Sequence, residues 1–297
     1  RLFLNSIGPF WDGNEVWLVV FGGALFAAFP DAYATAFSGF YLPFMLLLCC
    51  LIFRAVSIEF RSKYHTKIWR SCWDYAFFSA SLIATFLFGA AVGNCMRGVP
   101  IGGDKEFVGN LEDLLNPYSL LVGVLAVTTF AMHASIYLYL RLEGDLKERI
   151  HGIIWHTFGC FVVCYIFVTI YTLVTIPSAI FNFQHYPWLW GIVIINVLAI
   201  GNIPRAVFLG KPGYAFLSST LTLLSFTALF GAALFPNLMT SNILPEYNLT
   251  IYNAASSEKT LKIMRVIAFC GMPFVLSYTA IIYWVFRGKV KLGKFSY

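Results

Sequence analysis

The sequence predicts an all-α fold, a polytopic bundle of transmembrane helices, and three observations lead there. Hydrophobic residues make up 59% of the chain and charged residues only 11%, where a soluble globular domain carries roughly 25% charged residues. Mean hydropathy is +0.76. The apolar runs are too long for core strands and lack the alternation of a transmembrane barrel.

A hydrocarbon core of about 30 Å requires about 20 apolar residues per helix. Eight segments meet that requirement, at about 11–30, 33–54, 73–96, 118–141, 150–176, 187–208, 213–235 and 260–286. The second is cut from the first only by Pro30-Asp31-Ala32, read as a tight turn between antiparallel helices. The whole chain, 1–297, reads as one membrane domain with outer loops at about 97–117 and 236–259. It opens on Arg1 with no methionine and no signal-peptide pattern, so an upstream segment is expected.

Loop charge sets the orientation, because Lys and Arg accumulate on the cytoplasmic side. The 54–72 connection carries Arg54, Arg61, Lys63, Lys67 and Arg70, and the next on that side carries Arg141, Lys147 and Arg149. Arg205 and Lys211 follow, and the tail adds Arg287, Lys289, Lys291 and Lys294. With Arg1 these are fifteen of the twenty basic residues. The alternate loops are poor in base, so both ends of the sequence are expected to be cytoplasmic. Trp11, Trp17, Trp69, Trp73, Tyr186, Trp188, Trp190, Tyr283 and Trp284 fall near predicted helix ends, as an interfacial aromatic belt would.

Cys49, Cys50, Cys72, Cys95, Cys160, Cys164 and Cys270 sit mostly inside apolar runs without Cys-x-x-Cys spacing. They are expected to be small buried hydrophobes rather than disulfide or zinc ligands. The basic residues lie at helix ends and form no single patch, which argues against nucleic acid as a partner.

Asp12 and Glu15 are the residues most able to carry chemistry. They stand three apart at the mouth of the first helix, so they share a face. A pair of carboxylates in low-dielectric surroundings can hold a proton near neutral pH or share a monovalent cation. The competing structural role is to place negative charge at a helix N-terminus. His133 and His156 lie roughly 12 Å and 9 Å from the same membrane side at 1.5 Å per residue, on adjacent helices joined by a short loop. They suit a proton relay or haem ligation, or hydrogen bonding to a neighbouring helix. No surrounding haem motif is present. In the outer loop, Asn253, Ser256 and Ser257 are candidates to cap the last helix, and Asn248-Leu249-Thr250 matches a glycosylation triplet. Gly22 and Gly23, among small residues, are expected to allow close helix packing.

Several stretches together resemble subunit II of the cytochrome bd-type quinol oxidases. They are the run from Asn5 to Trp17 (Asn-Ser-Ile-Gly-Pro-Phe-Trp-Asp-Gly-Asn-Glu-Val-Trp), Gly22 to Pro30, Ala36 to Tyr41, Phe53-Arg54, Glu59 to Lys63, Trp69, Trp73-Asp74, Gly98 to Pro100, Leu115 to Tyr118, and Leu249 to Ser257. The resemblance spans nearly the whole chain and is densest in the first third.

The family implies a heterodimer in the bacterial inner membrane that oxidises quinol and reduces dioxygen to water without pumping protons. Haems of b and d type belong to the larger, haem-bearing subunit I, and this chain alone would bind no cofactor. Small accessory subunits and membrane lipid or quinone are further candidate partners. The family's nine helices imply that one precedes the eight found here. By analogy, Asp12 belongs to a cytoplasmic proton-entry route near a cation site between the subunits, with Trp11 and Asn14 supporting it. Glu15 joins that route less directly, since the family often has Gln there. The competing function is a proton- or sodium-coupled secondary transporter with Asp12 and Glu15 as coupling site. Transporters place such sites at the midplane between discontinuous helices, whereas this pair lies at a helix end. A third reading is a purely structural assembly subunit.

Overall fold

A computed structural model describes residues 1–290; Lys291 and Lys294, counted above with the basic tail, lie outside the described residues. Helix α1 (Leu2–Ile7) leads into α2 (Trp11–Ala28), α3 (Pro30–Gly39), α4 (Tyr41–Phe60) and α5 (Lys67–Arg97). The short α6 (Leu111–Leu114) precedes α7 (Pro117–Arg141), α8 (Asp145–Thr175) and the short α9 (Phe181–His185). Then come α10 (Trp190–Phe208), α11 (Pro212–Leu234) and α12 (Glu258–Val285).

Seven of these helices are long and apolar enough to cross a bilayer: α4, α5, α7, α8, α10 with the turn before it, α11 and α12. Helix α2 covers the first predicted span, but Asp12, Asn14 and Glu15 at its head keep it outside that set. The predicted 33–54 span is corrected. Helix α3 ends at Gly39 and α4 runs on to Phe60, with Phe40 out of helical geometry at φ −94° and ψ 20°. Pro43 explains the break, since it has no N–H for the Gly39 carbonyl and its ring crowds that turn. Pro30-Asp31-Ala32 is not the turn either. Phe29 is the non-helical residue, and Pro30 opens α3 at a position where the missing N–H costs nothing.

Helices α4, α5, α7 and α8 pack in succession, and α10 and α11 form a hairpin that leans on α7. Met132, Ile136, Ile154, Phe161, Ile203 and Ala215 form the core between α7, α8, α10 and α11. The tightest seam joins α5 to α7. A Cβ on Gly89 would lie 2.5 Å from the Ala126 Cβ and 2.8 Å from the Gly123 Cα, and one on Gly93 would lie 2.7 Å from the Ser119 Cα. Gly89 and Gly93 on one helix thus face Ser119 and Gly123 on the other, small residues four apart on both sides. A Cβ on Gly22 or Gly23 meets nothing within 4 Å, so the close packing expected there occurs in α5 and α7 instead.

The 97–117 and 236–259 loops fold together into a cap with its own small core. Val99 pairs with Ser241 in a parallel bridge, and β1 (Asn237–Met239) lies antiparallel to β2 (Leu249–Thr250). Val99, Ile101, Leu114, Met239 and Leu249 fill the space beneath, against Ala32 and Phe40. Lys105 takes a positive φ of 68°, and three contacts hold it there. Its ammonium meets Asp31 at 2.6 Å and the Asn253 carbonyl at 2.8 Å, while its own carbonyl accepts from the Thr35 hydroxyl at 2.6 Å. Ser257 caps α12 by accepting from the Thr260 N–H at 3.2 Å. Asn253 instead closes the β2 turn by accepting from the Thr250 N–H at 2.7 Å, and Ser256 donates its backbone N–H to the Ala28 carbonyl. The Asn248 amide oxygen is held by the Ser241 N–H at 2.7 Å.

Helices α2 and α12 have no buried residue. At its far end α12 is moored to α7: Arg141 donates to the Phe286 carbonyl at 2.5 Å, and the Val290 N–H donates to the Arg141 carbonyl at 3.0 Å. Lys289 donates to the Leu140 and Leu142 carbonyls at 2.8 and 3.3 Å, serving the open carbonyls at the α7 C-terminus.

The α5–α7 seam yields a direct test. Gly89→Ala should lower the Tm of the purified protein, the clash costing about 1–3 kcal/mol. Gly152→Ala, where a Cβ meets nothing within 4 Å, should leave Tm unchanged or raise it.

Candidate functional site

The head of α2 is built on Phe10, which is buried and stacks on Tyr283 of α12 with ring centroids 4.6 Å apart. Its carbonyl accepts from the Asn14 N–H at 3.0 Å, so the helix begins at Trp11. No side chain caps this end, which leaves the first-turn N–H groups free for a negative charge. Asp12 supplies one from the first turn and is exposed. It makes no hydrogen bond or ion pair with any described residue.

Glu15 stands one turn further along the same face and is half-buried. It forms an ion pair with Arg54 of α4, the two side chains 22% and 24% exposed. Arg54 also lies over the Phe77 ring of α5, 6.0 Å from its centroid. The line Glu15–Arg54–Phe77 therefore ties α2 to α4 and α5. The guanidinium thus engages Glu15, while Asp12 makes no such contact with a described residue. Below this pair, Arg61 grips Asp74 with two bonds of 2.5 and 3.0 Å, and Trp69 donates to the Phe60 carbonyl at 2.9 Å. Trp11 is half-buried beside Asp12, and Asn14 is exposed.

Of the cations that sequence reasoning counted with the 54–72 loop, Arg54 lies deepest inside a helix. Counted as a loop cation, it lies inside α4, nearly two turns before the helix ends at Phe60. The signal was available: an arginine inside an apolar span needs a partner, and a carboxylate at membrane depth needs one too.

The two histidines engage different elements. His133 bonds the Ser219 hydroxyl of α11 at 2.9 Å and stacks on Phe216, centroids 5.1 Å apart. His156 is exposed and bonds the Gly152 carbonyl of its own helix at 2.9 Å. Of the roles considered for this pair, hydrogen bonding to a neighbouring helix is the one His133 displays.

The molecule is thus a multi-pass helical membrane protein with a charged site at one end of a helix that the rest of its chain does not bury. The family model for cytochrome bd terminal oxidase subunit II matches residues 1–286, and the chain belongs to that family. It is 34% identical to cytochrome bd-I ubiquinol oxidase subunit 2 of Escherichia coli K12, over 98% of this chain and 84% of that protein. It is 36% identical to cytochrome bd ubiquinol oxidase subunit 2 of Bacillus subtilis, over 98% and 85% of the two chains. The structure of bd oxidase from Geobacillus thermodenitrificans shares the fold at a TM-score of 0.74 and 17% identity, covering 96% of this chain and 87% of that one.

The ion pair predicts a thermodynamic cycle. Glu15→Gln and Arg54→Met, each alone, should destabilise the protein by about 1–3 kcal/mol because a half-buried charge loses its partner. The double variant should recover much of that loss in thermal unfolding. Additive losses would show that the two side chains do not interact.

Proposed function

We propose that this chain is the haem-free membrane subunit of a quinol-oxidising, oxygen-reducing complex, and that Asp12 admits cytoplasmic protons to it. Reduction of dioxygen to water consumes protons as well as electrons, so the complex needs an acidic group that can gain and lose a proton at its inner face. The observation that carries the reading is the division of the acidic pair: Glu15 is committed to Arg54, and Asp12 is open. A carboxylate locked to a guanidinium is a poor relay, because the cation favours its ionised form. Asp12 has no such partner among the described residues. Glu15 then fixes the helix head and the local charge. Trp11 and Asn14 border Asp12, and a monovalent cation could share its carboxylate in the assembled complex. A relay through His133 and His156 would have to reach across from the α7–α11 contact to the outer face of α8.

The redox groups, haems b and d, are assigned to the partner subunit. The partner packs on α2 and α12 in this proposal. A helix within a bundle ordinarily buries at least a stripe of its surface, and these two bury none. Arg54, Arg61, Arg141, Arg205, Lys211 and Lys289 all lie toward the end that carries the α2 head, which supports a cytoplasmic placement of that end.

Asp12→Asn should slow quinol oxidase turnover of the purified complex roughly 100-fold, the lower range for losing a proton-transfer group, while its reduced-minus-oxidised haem spectrum persists. Full activity in that variant would remove Asp12 from the route. Loss of the haems would make its role one of assembly.

A further inference from the structure

The turn between α10 and α11 holds a cavity of about 180 Å³ lined by Asn202, Arg205, Ala206, Leu209, Lys211 and Tyr214. Local sequence shapes it. Gly210 adopts φ +65° and donates to the Val207 carbonyl at 3.0 Å, while the Lys211 N–H donates to the Ala206 carbonyl at 2.9 Å. This closes α10 and uses its terminal carbonyls internally. Pro212 then opens α11, whose first turn has neither a side-chain cap nor an acidic residue. The N-terminal dipole of α11 therefore adds positive potential to a cavity that already holds a guanidinium and an ammonium.

Neutral groups hold both cations in place. The Asn202 amide donates to the Ser218 hydroxyl at 2.8 Å, which leaves its oxygen facing Arg205 Nη1 at 3.4 Å. Lys211 lies 5.7 Å from the centroid of the Tyr214 ring. No ion pair reaches either cation among the described residues. Their charge is thus positioned but not neutralised. Leu198 of α10 shares the helix face of Asn202 and Arg205, and Leu217 and Leu221 of α11 share that of Tyr214; all three leucines are exposed, along the membrane-spanning part of the hairpin.

We propose that this cavity binds the phosphate of an anionic membrane lipid. Arg205 supplies the forked donor, Lys211 a point charge, and the α11 N-terminus further backbone donors. The acyl chains lie along the exposed leucines. Basic pockets between helices at the cytoplasmic membrane face suit such headgroups. The proposal depends on the orientation given above only for which leaflet supplies the lipid.

The test is native mass spectrometry of the full purified complex, stripped of lipid and titrated with dioleoylphosphatidylglycerol. The unmodified complex should bind one lipid more tightly than the Arg205→Gln/Lys211→Gln variant by roughly thirtyfold, each basic residue near an anionic surface contributing about fivefold. The charge-conserving Arg205→Lys/Lys211→Arg variant should retain that lipid, and dioleoylphosphatidylcholine should not distinguish the three proteins. Excess inorganic phosphate should leave the lipid bound. Equal phosphatidylglycerol binding by the unmodified and neutral proteins would overturn the proposal. Displacement by inorganic phosphate would also overturn it, since the site would then serve a free anion. Loss of the lipid from the charge-conserving variant would do the same by showing dependence on packing rather than charge.

Discussion

The contact between Glu15 and Arg54 is the constraint on which the site depends. Helix α2 has no buried residue of its own, so packing along the helix does little to fix its head. The ion pair to α4 and the Phe10–Tyr283 stack to α12 fix it instead. Two charges in low-dielectric surroundings are each costly alone. Neither residue can therefore be read without the other. Once they are joined, Asp12 is left as the uncommitted acid at that end of the helix.

The rest of the fold distributes its polar groups by the same logic. Arg61 is matched to Asp74, Lys105 to Asp31, and Arg141 and Lys289 are placed on open backbone carbonyls. Arg205 and Lys211 differ, being positioned by an amide and an aromatic ring that leave their charge in place. The two ends of the molecule also differ in kind. One end is closed by a folded cap with its own core, and the opposite end presents helix termini and charged side chains.

Most of the helical bundle was legible because bilayer thickness imposes a length that apolar runs reveal directly. Helices α7, α8, α10, α11 and α12 begin and end within a few residues of the expected segments, apart from the fuller first turn of α8. The break at Phe40 was less legible, since Pro43 lies inside an apolar run where hydropathy stays high. The α5–α7 seam was present in the spacing of Gly89, Gly93, Ser119 and Gly123, but Gly22-Gly23 offered a more conspicuous pair. The cap could not be foreseen, because Lys105 and Asn253 are joined only by tertiary folding. In the site, Asp12 and Glu15 stood out as carboxylates at a helix mouth. Their inequality was implied only by the resemblance, through the Gln the family often has at the position of Glu15; its physical cause rests on Arg54, a residue distant in sequence and counted with the loops.

The division of labour between the two carboxylates is the central claim, and infrared difference spectroscopy of the complex during turnover tests it most directly. A carboxyl band that changes with enzyme state should be present in the unmodified complex and in Glu15→Gln/Arg54→Met, and absent from Asp12→Asn. A band that survives in Asp12→Asn and disappears when Glu15 is replaced would contradict the account.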